Sequence, residues 1–224
     1  MISSGRAFEH GTLKGATEAL HDLLAELAKP LSLLDGQAVF EQGDPGSSVF
    51  AILSGQVEIS VLSKDGRKLV LNVLRPGTVF GEIALFDEGP RTASAVAIGS
   101  VRLATVRRDT LVDAIHNDPG IAVELLKLAG KRLRWVSEQV EGFAFLPLQN
   151  RLARRLVYLA AQSEGPSSTV QISQGELAEH VGATREAVAK ILSNWRQRGL
   201  VRVGRGWVQI ADDESLAFLA DGDF

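Results

Sequence analysis

Two stretches of this chain hold residue types whose spacing can do chemistry. The first is Phe80-Gly81-Glu82-Ile83-Ala84-Leu85-Phe86-Asp87-Glu88-Gly89-Pro90-Arg91-Thr92-Ala93-Ser94. Gly81 there opens a short helical turn whose free N–H groups can hold an anion, and Arg91 brings a permanent charge with a planar fork to the same group. Glu82 can accept a hydrogen bond from a hydroxyl. No nucleophile or general base stands beside that anion, so the set holds a ligand rather than turning one over. The second stretch, Gln174 to Ser193, fits the helix-turn-helix template position by position. Ala178 sits where the two helices touch, Gly182 takes the left-handed turn, and Thr184 caps the second helix. With Val188, Ile191, Leu192 and Trp195 turned inward, Glu186, Lys190 and Ser193 point outward and Arg185 reaches round from the first turn. Arginine and lysine donate to guanine O6 and N7 and glutamate accepts from cytosine N4, which is the chemistry of the DNA major groove.

The surrounding elements must position these groups. Thr17 to Lys29 reads as an amphipathic helix stopped by Pro30. From Leu31 to Arg107 short alternating runs, such as Val57 to Val61 and Val101 to Val106, read as strands. They are separated by Gly43-Asp44-Pro45-Gly46, Ser54-Gly55, Lys64-Asp65-Gly66, Pro76-Gly77 and Asp87-Glu88-Gly89-Pro90. Many short strands with glycine corners predict a sandwich or barrel. Asp109 is predicted to cap a helix to His116, and Asp118-Pro119 to start a long one. On that long helix Leu126, Ala129, Leu133, Val136 and Val140 follow at steps of three and four, a narrow a/d seam suited to self-association, before Gly142 offers a stop. Phe143-Ala144-Phe145-Leu146-Pro147 reads as the hinge. Leu148 onward resumes a helix with Leu152, Leu156 and Leu159 inside and Arg151, Arg154 and Arg155 outside. Ser163 to Ser168 is a loop, and Gly199 to Val203 and Trp207 to Ile210 flank Gly204-Arg205-Gly206 as a hairpin wing, with Arg205 at its tip as a phosphate contact.

Composition excludes much else. The 224 residues are 45% hydrophobic and 23% charged, with a net charge of −3, a soluble globular balance rather than that of a polycation coating nucleic acid. Charge is segregated: Arg151 to Arg205 carries nine Lys/Arg against four Asp/Glu, whereas Ala211 to Phe224 has five acids and no base. The absence of cysteine removes disulfides, thiolate zinc sites and cysteine nucleophiles. The four histidines show no paired ligand spacing, so no metal is expected. With no apolar run long enough for a bilayer and no signal-peptide layout at Met1 to Arg6, no membrane partner is expected and a cytoplasmic location is.

Together these stretches resemble the CRP/FNR family of transcription regulators, from about Leu31 to Ile210. The block Phe80 to Ser94 looks like the family's phosphate-binding cassette, and Val181-Gly182-Ala183-Thr184-Arg185-Glu186-Ala187-Val188-Ala189-Lys190 looks like its recognition helix. The resemblance implies an α+β chain. It has an N-terminal cyclic-nucleotide-binding antiparallel β-barrel of jelly-roll type (1–117), a long dimerisation helix (118–142) and a C-terminal winged helix-turn-helix (143–224). It implies that Glu82 grips a ribose, and that Arg91 and Thr92, with Gly81 and the amides of Ile83 and Ala84, grip a cyclic phosphate. The purine then faces Arg132, Val136 and Ser137. The expected ligand is cyclic AMP with cyclic GMP as the alternative, and the expected partners are double-stranded DNA, a second copy of the chain and RNA polymerase. The DNA contacts implied are Thr184, Arg185, Glu186, Lys190 and Arg205, and no catalytic residue is implied. Departures are Val136 where the family's cyclic-AMP activators offer a threonine to adenine, Lys190 in place of an arginine, and a short loop at Ser163 to Thr169. A ligand-independent DNA binder, or a nucleotide-binding module serving an enzyme, are the competing readings.

Overall fold

A computed structural model describes residues 28–86, 89–162 and 168–221. The amphipathic stretch expected from Thr17 to Lys29 lies outside these residues except for its end, where Lys29 belongs to a strand instead of a helix. That strand, β1 (Lys29–Leu33), is followed by β2 (Ala38–Phe40), β3 (Ser48–Leu62), β4 (Lys68–Leu74) and β5 (Val79–Phe80). Then come the single helical turn α1 (Ile83–Phe86), β6 (Ser94–Arg107), α2 (Arg108–Asn117) and α3 (Gly120–Phe145). Two compact units divide the chain: one runs through Val136 apart from Arg67–Val70, and the other begins at Ser137 and includes Arg67–Val70.

In the first unit the expected barrel is an open six-stranded sheet among the described residues, with path β1-β6-β3-β4; β2 also pairs with β6, and β5 with β3. The strands are fewer and longer than the turn signals predict. Ser54-Gly55, read as a corner, is a bulge inside β3, where the register to β6 slips between Ile52 and Ser54 and again between Ser54 and Gln56. The reason is local. Gly55 holds φ 82° and a side chain there would collide with the Ser100 carbonyl and with Val101, so glycine lets the two long strands stay paired through the bend.

Alternation along these strands fills two cores. Val49 and Ala51 of β3, with Ala104 and Val106 of β6, pack against Leu111 of α2 and Ile121, Leu125 and Leu128 of α3. Phe50 and Ile52, with Leu103, Val101 and Ala97, fill the other face beside Phe80. Each buried Val, Leu, Ile or Phe side chain among these contributes about 1.5–3 kcal/mol, so the sheet is stabilised from both sides.

Two helix boundaries differ from expectation. Asp109 does not cap α2, which starts at Arg108 with no side-chain cap; the Asp109 carboxylate instead accepts from Arg107 Nη2 at 3.3 Å. Asp118 does serve the start of α3, its Oδ1 accepting from the Gly120 N–H at 2.9 Å. At the other end α3 runs through Gly142, whose carbonyl accepts from Leu146 N at 3.1 Å, so Phe143 to Phe145 are helical and the break falls at Leu146-Pro147. Glycine inside a helix costs only about 1 kcal/mol, while proline restricts the residue before it and cannot donate.

The second unit contains α4 (Leu148–Ala161), β7 (Thr169–Gln171), α5 (Gln174–Val181), α6 (Arg185–Gln197), β8 (Val201–Gly204), β9 (Trp207–Ile210) and α7 (Asp213–Asp221). Strand β7, which no alternation announced, joins β9 to complete a three-stranded wing, β7-β9-β8. The acidic C-terminal stretch forms a helix, α7, whose Leu216 and Ala220 are fully buried. Its last carbonyls are capped from α4: Asn150 Nδ2 donates to Leu219 O at 2.9 Å, and Arg154 donates to Ala220 O and Asp221 O. Arg154, expected outside, is exposed and also serves as a helix C-cap donor.

Candidate ligand and DNA sites

At the end of β5 the chain turns at Gly81, with φ 83°. A Cβ there would stand 2.9 Å from Arg91 Nη1 and 3.2 Å from the Phe50 ring, so glycine supplies both the backbone conformation and the clearance for Arg91. Arg91 is 6% exposed. Its Nη1 donates to Gly81 O and its Nη2 to Ser48 O, both at 2.8 Å, and its Cζ lies 4.2 Å from the centroid of the Phe40 ring. Phe40, Phe50 and Phe80 stand 5.3–6.0 Å apart, a platform beneath the guanidinium. Burial lowers the Arg91 pKa from its ordinary value, opposed by the charges of Asp44 and Glu82, and its Nε is buried without a hydrogen-bond partner.

Glu82, 1% exposed, accepts at both oxygens from Arg132 Nη1, at 2.6 and 2.7 Å. Arg132 Nη2 donates to Val79 O at 2.6 Å, and its Nε is also buried without a partner. The guanidinium placed by sequence over a purine ring is thus engaged with the carboxylate, because α3 passes the end of β5 at this height. Gly81, Glu82, Arg91 and Arg132 are brought together. Thr92, next in chain to Arg91, is exposed, as are Ile83 and, one turn beyond Arg132, Val136 and Ser137. Ala84 lies in α1.

Sequence reasoning missed the Ser48 and Val79 carbonyls and the phenylalanine platform, since carbonyls carry no side-chain signature and the three rings are far apart in the chain. What the set offers chemically is two covered guanidiniums against one buried carboxylate, with Asp44 at the surface, and two N–H donors that no protein atom satisfies. That fits a small anion carrying hydroxyl groups.

The second site is built on α5 and α6. Ser173 caps α5 in a reciprocal box: its Oγ accepts from Glu176 N at 3.2 Å, and the Glu176 carboxylate accepts from Ser173 N at 2.7 Å. Gly182 ends the helix in the left-handed conformation, with φ 63° and ψ 46°, and Thr184 Oγ1 accepts from Ala187 N at 3.2 Å to start α6. Leu177, Ala178 and Val181 pack on Val188, Leu192 and Trp195. The cap Thr184 is exposed together with Arg185, Glu186 and Lys190 of α6, and Arg205 is exposed at the β8–β9 turn. Ser193, expected on the outward face, is half-buried, and Asn194 is exposed in its place. One step of helix rotation separates them, within the tolerance of a periodicity argument.

Behind this face Arg155, expected outside, turns inward from α4 and donates from Nη2 to His180 Nδ1 at 2.6 Å. Desolvation, with the Arg155 charge behind it, pushes the His180 pKa down to about 3, and burial brings Arg155 down to about 10. His180 is therefore a neutral acceptor that ties α5 to α4.

Comparison with known proteins matches both halves of the chain to known domains. Residues 30–118 match the cyclic nucleotide-binding domain, and residues 150–219 the Crp-like helix-turn-helix domain. The chain is 35% identical over 212 residues to the CRP-like cAMP-activated global transcriptional regulator of Mycobacterium tuberculosis, covering 92% of this chain and 95% of that one. It is 35% identical over 187 residues to the cyclic AMP receptor protein of Thermus thermophilus, covering 84% and 86%. Among solved structures, a CRP/FNR-family transcriptional regulator of Thermus thermophilus aligns with a TM-score of 0.74 at 29% identity, covering 86% of this chain and 98% of that one. The described residues contain no helix long and apolar enough to cross a membrane. A cyclic-nucleotide-binding domain and a Crp-like helix-turn-helix in one chain, with relatives that regulate transcription and are not enzymes, show that this protein belongs to the CRP/FNR family of DNA-binding transcription regulators.

Proposed function

We propose that the protein is a cyclic-AMP-responsive regulator that works as a homodimer on palindromic DNA. The observation that carries this reading is the buried set around Gly81: Arg91 and Arg132 each keep an unpartnered buried Nε–H, and Arg132 holds the carboxylate of Glu82. A cyclic phosphate accepts from Arg91, and a ribose hydroxyl shares Glu82 with Arg132, since a carboxylate has about four lone-pair sites. Thr92 and the amides of Ile83 and Ala84 complete the phosphate contacts, and Val136 and Ser137 meet the base. Two relatives bear cyclic AMP in their names, which supports the choice of nucleotide. Val136 lacks the hydroxyl that would help select adenine, and Thr92 offers a hydroxyl to guanine, so discrimination against cyclic GMP is weak.

The exposed face of α3 supports the dimer. Leu126, Leu133, Val136 and Val140 are all exposed on it, Leu133 to 68%. An apolar stripe of this kind is covered by its symmetry mate. Thr184, Arg185, Glu186 and Lys190 of each α6, with Arg205 of each wing, then contact one half-site. Ligand shifts the equilibrium by its differential affinity for two arrangements of α3, which carries both Arg132 and the seam. Titration calorimetry with cyclic AMP, followed by DNA titrations with and without it, tests the reading. Absence of any heat or of any change in DNA affinity contradicts it.

A further inference from the structure

The turn between α5 and α6 sets the direction of the recognition helix, and it is not bare. From the last turn of α3, the ring of Phe143 places Cε1 3.2 Å and Cζ 3.8 Å from where a Cβ at Gly182 would stand. The Arg151 guanidinium, from the first turn of α4, lies 4.9 Å from the centroid of the same ring. The ring is therefore engaged with both the helix-turn-helix turn and the start of α4. Its contact with Arg151 is favourable in itself, because that guanidinium is partly desolvated, its Nε is buried without a hydrogen-bond partner, and an aromatic face attracts a cation.

Phe143 also falls on the next step of the α3 seam, three residues after Val140, and it keeps 40% of its surface exposed. It thus has two possible occupations, the seam or the turn. Eleven residues before it on the same continuous helix, about 16 Å at 1.5 Å per residue, Arg132 holds Glu82.

We infer that Phe143 is the positioning residue through which α3 sets the recognition helix: seated against Gly182 and Arg151, its ring delivers any rotation or end-shift of α3 to the turn that precedes α6. Gly182 then has two reasons to be glycine, its left-handed backbone and the room it leaves for the ring. The inference rests on the nucleotide response proposed above only for the trigger of the movement, not for the contact itself.

The test uses the full chain as Phe143→Ala, Phe143→Tyr and Phe143→Leu. Two readouts are amide exchange across 182–187 and the ratio of specific-DNA affinity with and without saturating cyclic AMP. Phe143→Ala is expected to speed exchange at the turn by about tenfold. It should also move the affinity ratio about tenfold toward one. Phe143→Tyr, which keeps the ring, restores both, and Phe143→Leu, which keeps apolar bulk without the ring face, restores neither fully. If Phe143→Ala unfolds, the Tyr and Leu pair decides. Wild-type exchange and an unchanged ratio in Phe143→Ala or in Phe143→Leu overturn the inference. If cyclic AMP leaves wild-type DNA affinity unchanged, the nucleotide reading falls, and the exchange readout alone decides whether Phe143 positions the turn.

Discussion

Arg132 and Glu82, fifty residues apart in the chain, meet through two hydrogen bonds at 2.6 and 2.7 Å, with the carboxylate almost wholly out of solvent. Removing one partner of such a pair leaves an uncompensated buried charge. Arg132→Met is therefore expected to cost about 3–5 kcal/mol in urea denaturation, whereas the double variant Glu82→Gln with Arg132→Met recovers most of the loss. A single variant with the wild-type midpoint contradicts this assignment.

The exposed seam on α3 makes a second prediction. Leu133→Glu places a charge where two copies meet, and sedimentation should show monomers in place of dimers. A variant that sediments as the wild type does, while wild type is a dimer, rules out this face as the interface.

On DNA, Arg185→Ala should cost about 1–3 kcal/mol at the specific site and relax base preference there, because a major-groove arginine reads an edge. Arg205→Ala, at the wing tip, should weaken specific and random DNA alike. The protected half-sites should lie about one helical turn apart. Equal losses on both kinds of DNA for both variants count against this division of roles.

Much of this was legible from residue order because the chemistry is local there. The turn at Gly182, the cap at Thr184 and the inward stripe of α6 depend on spacings of one to four residues, which a sequence displays directly. The cassette was legible for the same reason, up to Arg91. What was not legible depends on distant chain segments: the Ser48 carbonyl that accepts from Arg91, the reach of Arg132 to Glu82, and the capping of α7 by Asn150 and Arg154. The bulge at Gly55 was misread as a corner because glycine marks both, and only the Ser100 carbonyl opposite it separates the two.

His180 gives a pH dependence. Its folded pKa, about 3, lies below its ordinary value near 6.5, so between those two values the unfolded chain binds a proton that the folded chain refuses. Stability of the helix-turn-helix unit is expected to be full above about pH 6.5 and to fall as pH drops toward 3, and His180→Gln should flatten that slope. DNA binding near neutral pH should not titrate with this histidine. A wild-type slope in His180→Gln shows that other groups set it.

The most direct test of the central claim is calorimetric titration of wild type, Arg91→Ala and Val136→Thr with cyclic AMP and cyclic GMP, each followed by a DNA titration. The account predicts that wild type binds both nucleotides, with cyclic AMP favoured only modestly, and gains DNA affinity with cyclic AMP. Arg91→Ala should lose the response to both. Val136→Thr should raise the preference for cyclic AMP by about the value of one hydrogen bond, roughly 0.5–1.5 kcal/mol. Failure of wild type to bind either nucleotide, or an unchanged preference in Val136→Thr, contradicts the account of the pocket.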